Sequence, residues 1–192
     1  MKKLLITGFN PFGGEKINPA WEAVKLLPAT VGEYALHKLE IPTVFQKAGE
    51  QVLAAAQEIC PDVILCIGQA GGRVAVTPER IAVNVRDARI DDNEGNRPED
   101  LPCVVDGPAA YFTTVPIKRM VAAIQEVGCA GAVSDSAGTF VCNDVLYMLL
   151  HHYSGSHVRV GFIHVPFLPQ QGQPNLPLEK TVQGLQAAIR AL

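Results

Sequence analysis

Apolar runs and helical periodicities take turns along the whole chain. Lys3 to Thr7 is apolar, breaks at Gly8 and predicts a first strand. Asn18-Pro19 supplies an N-cap and a first-turn proline for a helix over Ala20 to Leu27. Tyr34 to Ile41 alternates as a strand does, and Thr43 stands where it would cap a long helix continuing to Ile59. Asp62-Val-Ile-Leu-Cys-Ile-Gly68 is unbroken in its apolarity, the pattern of a strand covered on both faces. Ile81 to Ile90 alternates again, and Ile117 to Val127, set between Pro116 and Gly128, predicts a helix. Ala132 and Val133 form a short apolar strand that leads through Ala137-Gly138-Thr139 into a helix carrying Val141, Val145 and Leu149 on one face. His157 to Ile163 predicts the last strand, and Leu178 to Leu192 a closing amphipathic helix.

This alternation predicts an α/β fold, a three-layer αβα sandwich around a largely parallel twisted sheet. Asp91 to Pro108, rich in Asp, Asn, Gly and Pro, interrupts it as the longest irregular segment. Loops of that length inside a compact domain are usually functional or mobile.

Composition narrows the classes. The 192 residues are 48% hydrophobic, enough for one domain spanning residues 1–192 with a sizeable core. With 16 Lys+Arg against 19 Asp+Glu, the net charge is -3 and no basic block exists to neutralise a phosphate backbone, so nucleic acid is not an expected partner. No apolar stretch is long enough to span a bilayer, so no membrane partner is expected either. Met1-Lys-Lys before an apolar run resembles a signal peptide, but the run ends at Gly8 without a cleavage site and reads as a strand; a cytoplasmic location is the default expectation. Five cysteines without a C-x-x-C pair argue against a disulfide framework or a zinc ribbon, and the histidines show no metal spacing. Neither Gly8-Phe-Asn-Pro-Phe-Gly-Gly14 nor Gly68-Gln-Ala-Gly-Gly72 matches a phosphate-loop pattern, so a nucleotide site is not expected.

Chemistry collects where the strands end. Runs closing at Gly8, Gly68 and Ile163, with a fourth closing just before Ala137, would open onto one rim of a parallel sheet, where such sheets bind ligands. That rim would gather Phe9, Phe12, Gln69, Cys142 and His164. A thiol in the first turn of a helix feels the positive dipole end, which predicts a Cys142 pKa below the usual value of about 8.5. Taken alone, a cysteine there more often packs than reacts. A histidine at a neighbouring strand end changes the balance, because neutral imidazole takes a thiol proton and returns it to a leaving amine. Such a base needs a carboxylate to hold its ring. Glu79 is favoured, with Asp87, Asp92, Glu94 and Asp135 as rivals and Arg80 or Arg89 as the carboxylate's partner. Two loop phenylalanines, Phe9 and Phe12, suit a clamp for a small flat ring.

These residues fall in blocks that resemble the type I pyroglutamyl peptidases (pyrrolidone-carboxylate peptidases), a family of cysteine peptidases. The blocks are Thr7-Gly-Phe-Asn-Pro-Phe-Gly-Gly14, Asn18-Pro19, Gly68-Gln-Ala-Gly-Gly72, Thr77-Pro-Glu-Arg-Ile-Ala82, Ala88-Arg-Ile90, Asp92-Asn-Glu-Gly-Asn96, Ala137-Gly-Thr-Phe-Val-Cys-Asn143 and Gly161-Phe-Ile-His-Val-Pro166. The resemblance implies removal of an N-terminal pyroglutamyl (5-oxoprolyl) residue from peptides without metal or cofactor. It implies Cys142 as nucleophile, His164 as general base and acid, and Glu79 as its orienting residue. It also implies Phe9, Phe12 and Phe140 around the ring, Gln69 at the lactam and Arg89 near the scissile carbonyl. The resemblance also implies a cytoplasmic location and the homotetramer that such peptidases commonly form. Asp135 departs from the pattern, and its charge near the nucleophile predicts a raised thiol pKa. The competing expectation is a module that binds such a ring without cleaving it, separable by whether a pyroglutamyl peptide survives incubation.

Overall fold

The computed structural model describes residues 1–192. Its main sheet has six strands. β1 (Lys2–Phe9) lies between β3 (Tyr34–Ile41) and β4 (Val63–Gln69), and β8 (Arg159–Val165) follows β4, all four parallel. Short antiparallel strands close the two edges, β2 (Thr30–Val31) beside β3 and β5 (Thr77–Pro78) beside β8.

Each central strand is buried on both faces because helices cover both. On one face Leu4, Ile6, Leu65 and Ile163 pack with α1 (Pro19–Leu26), α3 (Ile117–Glu126) and α5 (Leu178–Arg190). On the other, Leu5, Ile64 and Phe162 pack with α2 (Lys47–Ile59) and α4 (Val141–His152). Side chains alternate across a strand, so one apolar run feeds both cores. The result is the three-layer α/β arrangement expected from the alternation.

Local details differ from the sequence pattern where tertiary partners intervene. Asn18 does cap α1, its side chain accepting from the Ala20 amide at 3.0 Å. Thr43 does not cap α2: it is buried and its hydroxyl donates to the Asn10 carbonyl, while the helix starts at Lys47. The strand predicted over Ile81 to Ile90 is only β6 (Ile81–Val83), which leaves the main sheet to pair with β7 (Ala110–Phe112). Asn143 explains its early end. Buried at the start of α4, it accepts from the Val83 amide and donates to the carbonyls of Val83 and Val85, drawing the segment onto the helix.

The fourth strand expected at Ala132-Val133 is not a sheet strand. It runs outside β5, tied to it by the bridges Val76 with Gly131 and Glu79 with Ser134 and by hydrogen bonds from the Ala132 amide to the Val76 carbonyl and from the Ser134 amide to the Pro78 carbonyl. Ala132 is exposed at that edge. The 91–108 segment is irregular but pinned. Asp92 accepts from the amides of Phe45, Glu94 and Asn96, and the Tyr147 hydroxyl donates to the Pro108 carbonyl.

Candidate active site

The carboxyl ends of β4 and β8 and the start of α4 meet at one cavity of about 780 Å³, whose wall includes Phe12, Gln69, Arg73, Phe140, Cys142 and His164. Strand register does the first part of the assembly. Gly68 on β4 and Thr77 on β5 flank His164 on β8, so the imidazole rises between two neighbours. Glu79 follows β5 directly, and its amide donates to the Phe162 carbonyl at 2.9 Å, which holds its backbone beside β8. His164 Nδ1 lies 2.6 Å from Glu79 Oε1, with both groups buried.

Cys142 approaches from the opposite side. It is the second residue of α4, where backbone N–H groups have no intrahelical acceptor. Its sulfur stands 3.0 Å from where a Cβ on Gly68 would lie, and Phe162 Cζ stands 2.7 Å from the same point. A side chain at residue 68 would therefore strike both. Glycine lets the sulfur settle against β4 next to the imidazole's strand. The helix start is fixed by Asp144, fully buried, which accepts from Arg86 at 2.6 Å and from the Gln46 amide at 2.7 Å.

Electrostatics set the resting state. For Glu79, burial pushes the carboxyl up, but the hydrogen bonds from His164 and Arg73 hold it below the usual carboxylate range. For His164, burial pushes the pKa down and prevails over the hydrogen bond and charge of Glu79. Together they describe an ionised Glu79 accepting from the Nδ1–H of a neutral imidazole, leaving Nε2 as a base. The Cys142 thiol is not acidified as the helix position predicts. Burial and then the charge of Glu79 push it up, while Arg73 and the residue's own amide pull it down. The sulfur thus rests as a thiol and ionises only as its proton leaves for a base.

Asp135 does not reach this centre. It is 79% exposed and paired with Arg80 at 2.6 Å. The other rival carboxylates are also accounted for: Asp92 organises its loop, Glu94 pairs with Lys47, and Asp87 stands exposed on the cavity wall. Glu79's cationic partner is neither Arg80 nor Arg89 but Arg73, at 2.7 Å.

The aromatic set is partly rearranged. Phe12 and Phe140 share a wall with ring centroids 6.1 Å apart, and Phe45 backs Phe140 edge-on at 5.2 Å. Phe9 is no wall residue. At 1% exposure it is buried beneath the site, 6.2 Å from Phe162, whose ring in turn lies 4.8 Å from that of His164. The alternation of β1 turns Phe9 inward; only Phe12, beyond the strand, is free to face the cavity. Phe167 joins the wall instead, unanticipated. Gln69 stands in the wall and accepts from Gln171 Nε2 at 3.1 Å, while Arg89 is exposed at the rim. Arg73, Phe167 and Gln171 carried no signal beyond closeness to a strand end, since each is recruited from a loop.

Comparison with known proteins follows the same geometry. The family model described as pyroglutamyl peptidase matches residues 2–192. This chain belongs to the pyroglutamyl peptidase family. A pyrrolidone-carboxylate peptidase of Clostridium botulinum is 52% identical over 98% of this chain and 92% of its own length. One from Streptococcus pyogenes is 50% identical over 99% and 92%. Among solved structures, pyroglutamyl peptidase I of Bacillus amyloliquefaciens superposes with a TM-score of 0.96 at 46% identity, covering 100% of this chain and 96% of that one. The pyrrolidone carboxyl peptidase of Thermococcus litoralis gives 0.95 at 34% identity, covering 100% and 93%. No helix of this family member is long and apolar enough to cross a membrane.

Proposed function

We propose that this chain is a cysteine exopeptidase that hydrolyses the bond after an N-terminal pyroglutamyl residue, with Cys142 as nucleophile, His164 as base and acid, and Glu79 as the residue orienting the imidazole. The observation that carries it is the convergence of Cys142 and the His164–Glu79 pair on one aromatic-walled cavity. As the sulfur attacks the scissile carbonyl carbon, its proton passes to His164 Nε2 and the carbonyl π pair moves to oxygen. The Cys142 amide, in the first turn of α4, donates to that oxyanion. Collapse breaks the C–N bond, and the departing amine takes the proton back from His164. Water then attacks the thioester, giving its proton to His164; the C–S bond breaks, pyroglutamate leaves and the thiol is restored.

Phe12 and Phe140 enclose the uncharged ring, Gln69 meets the lactam, and Arg89 lies toward the scissile carbonyl; Phe9 backs Phe162 beneath the site. A pocket that hydrogen-bonds a lactam rejects a ring lacking that group by up to about 10⁴-fold, because buried polar groups are left unpaired. Peptides with N-terminal pyroglutamate are the partners this implies. The same reading extends to a homotetramer, for which exposed Val105 and Phe112 offer apolar surface, and to the cytoplasm, where five free thiols stay reduced.

Release of an amine from a pyroglutamyl amide tests the assignment. Cys142→Ala and His164→Ala chains that melt as the parent does should release none. In a Cys60→Ser background, which removes the exposed thiol, inactivation by iodoacetamide should track alkylation of Cys142. Full activity in Cys142→Ala, or inactivation that follows another cysteine, would overturn it.

A further inference from the structure

Arg73 leaves the loop after β4 and lies along the cavity wall with its guanidinium at the buried carboxylate. Its Nη1 donates to Glu79 Oε1 at 2.7 Å and to Thr77 Oγ1 at 2.6 Å, and its Nη2 to the Ser136 carbonyl at 3.3 Å. His164 Nδ1 sits 2.6 Å from the same Oε1. One carboxylate oxygen thus takes both the imidazole and the guanidinium, while Oε2 is buried without a partner. The other charged or titratable groups nearby do not substitute. Cys142 on α4 is a neutral thiol at rest, Cys66 on β4 is pushed up to about 12 by burial, and Arg80 is taken by Asp135. Asp87 and Arg89 are exposed elsewhere on the cavity wall.

We propose that Arg73 is a positioning residue for this machinery: it holds Glu79 ionised with Oε1 aimed at Nδ1, and its charge keeps the His164 imidazole neutral and able to accept the Cys142 proton. The proposal rests on the cysteine–histidine reading of the site given above. Glu79 is fully buried, and a buried carboxylate stripped of its fixed cation draws a proton onto the imidazole it is bonded to, so that Nε2 is no longer a base. Arg73 closes that route, and its charge also pulls the Cys142 and His164 pKa values down. Bonds to Thr77, Glu79 and Ser136 fix the guanidinium plane in a way a lysine, with one flexible ammonium, does not reproduce.

The test compares the parent with Arg73→Gln and Arg73→Lys by two readouts. One is the His164 titration followed by NMR of histidine-labelled protein; the other is the pH profile of kcat and KM on a pyroglutamyl amide. In Arg73→Gln, the imidazole should titrate about 1 unit higher, the usual effect of removing a neighbouring charge. The acid limb of kcat/KM should move with it, and kcat at pH 6 should fall by about 2–10-fold with little change in KM. Arg73→Lys should keep the limb where it was and regain only part of kcat; it also serves if Arg73→Gln does not fold. An unmoved imidazole titration in Arg73→Gln, full kcat in Arg73→Lys, or an effect confined to KM would overturn the proposal. If the parent cleaves no pyroglutamyl amide while the titration still shifts, the functional reading fails and the electrostatic role of Arg73 stands.

Discussion

Replacing Gly68 with alanine would test how the nucleophile is seated. The added Cβ would lie 2.7 Å from Phe162 Cζ, 2.8 Å from its Cε1 and 3.0 Å from Cys142 Sγ. Carbon atoms in contact sit about 3.5–4.0 Å apart, so the ring must retreat by roughly 0.8 Å or more. Phe162 has nowhere easy to go. It is fully buried, with Phe9 on one side and the His164 ring on the other. Overpacking of this kind costs about 1–3 kcal/mol. At about 2–4 °C per kcal/mol for a chain of this size, the melting temperature should fall by roughly 2–12 °C. The loss of activity should be larger than the loss of stability suggests. A shift near 1 Å in reacting groups costs on the order of 10²-fold in rate, and here both the sulfur and the ring beneath the imidazole are displaced. Calorimetry, with kcat on a pyroglutamyl amide measured well below the melting point, supplies the comparison. Unchanged melting together with unchanged kcat would refute the packing argument, since the cavity would then have room that the structure denies it.

Gln171 offers a second test: its amide donates to Gln69 Oε1 and so holds the side chain that we propose meets the lactam. Gln171→Ala should raise KM by about 2–10-fold with kcat nearly unchanged, the loss expected for one neutral hydrogen bond, and an unaltered KM would remove Gln171 from ring recognition. Stability should also fall with acid. Burial depresses the His164 pKa, so below about pH 6.5 the unfolded chain binds a proton that the folded one refuses, and stability drops as pH falls through that range. Glu79, held below the usual carboxylate range, adds a further loss as pH falls past about 4.5 toward its folded value. Urea melts at pH 7 and 5.5 on the parent and on His164→Gln should show the first loss in the parent only; equal losses in both chains would contradict a buried neutral imidazole.

The layers and the chemistry-bearing elements were legible in the order of residues along the chain. Lys3 to Thr7 and Asp62 to Gly68 read as buried strands because they are short apolar runs bounded by turn residues, and Val141, Val145 and Leu149 read as a helix face because of their spacing, all local properties of the chain. Cys142 at a helix start and His164 at a strand end were legible for the same reason. Tertiary structure alone decided what depends on partners far along the chain. Asn143 ends the strand begun at Ile81, the Asn10 carbonyl takes Thr43 from its helix, and alternation along β1 sends Phe9 under the site. Arg73 pairs with Glu79 where Arg80 and Arg89 do not, and the sulfur rests as a thiol because burial outweighs its place in the helix. Hydrogen bonds, ion pairs and desolvation depend on distance in space, and the spacing of residues along a chain holds no measure of that.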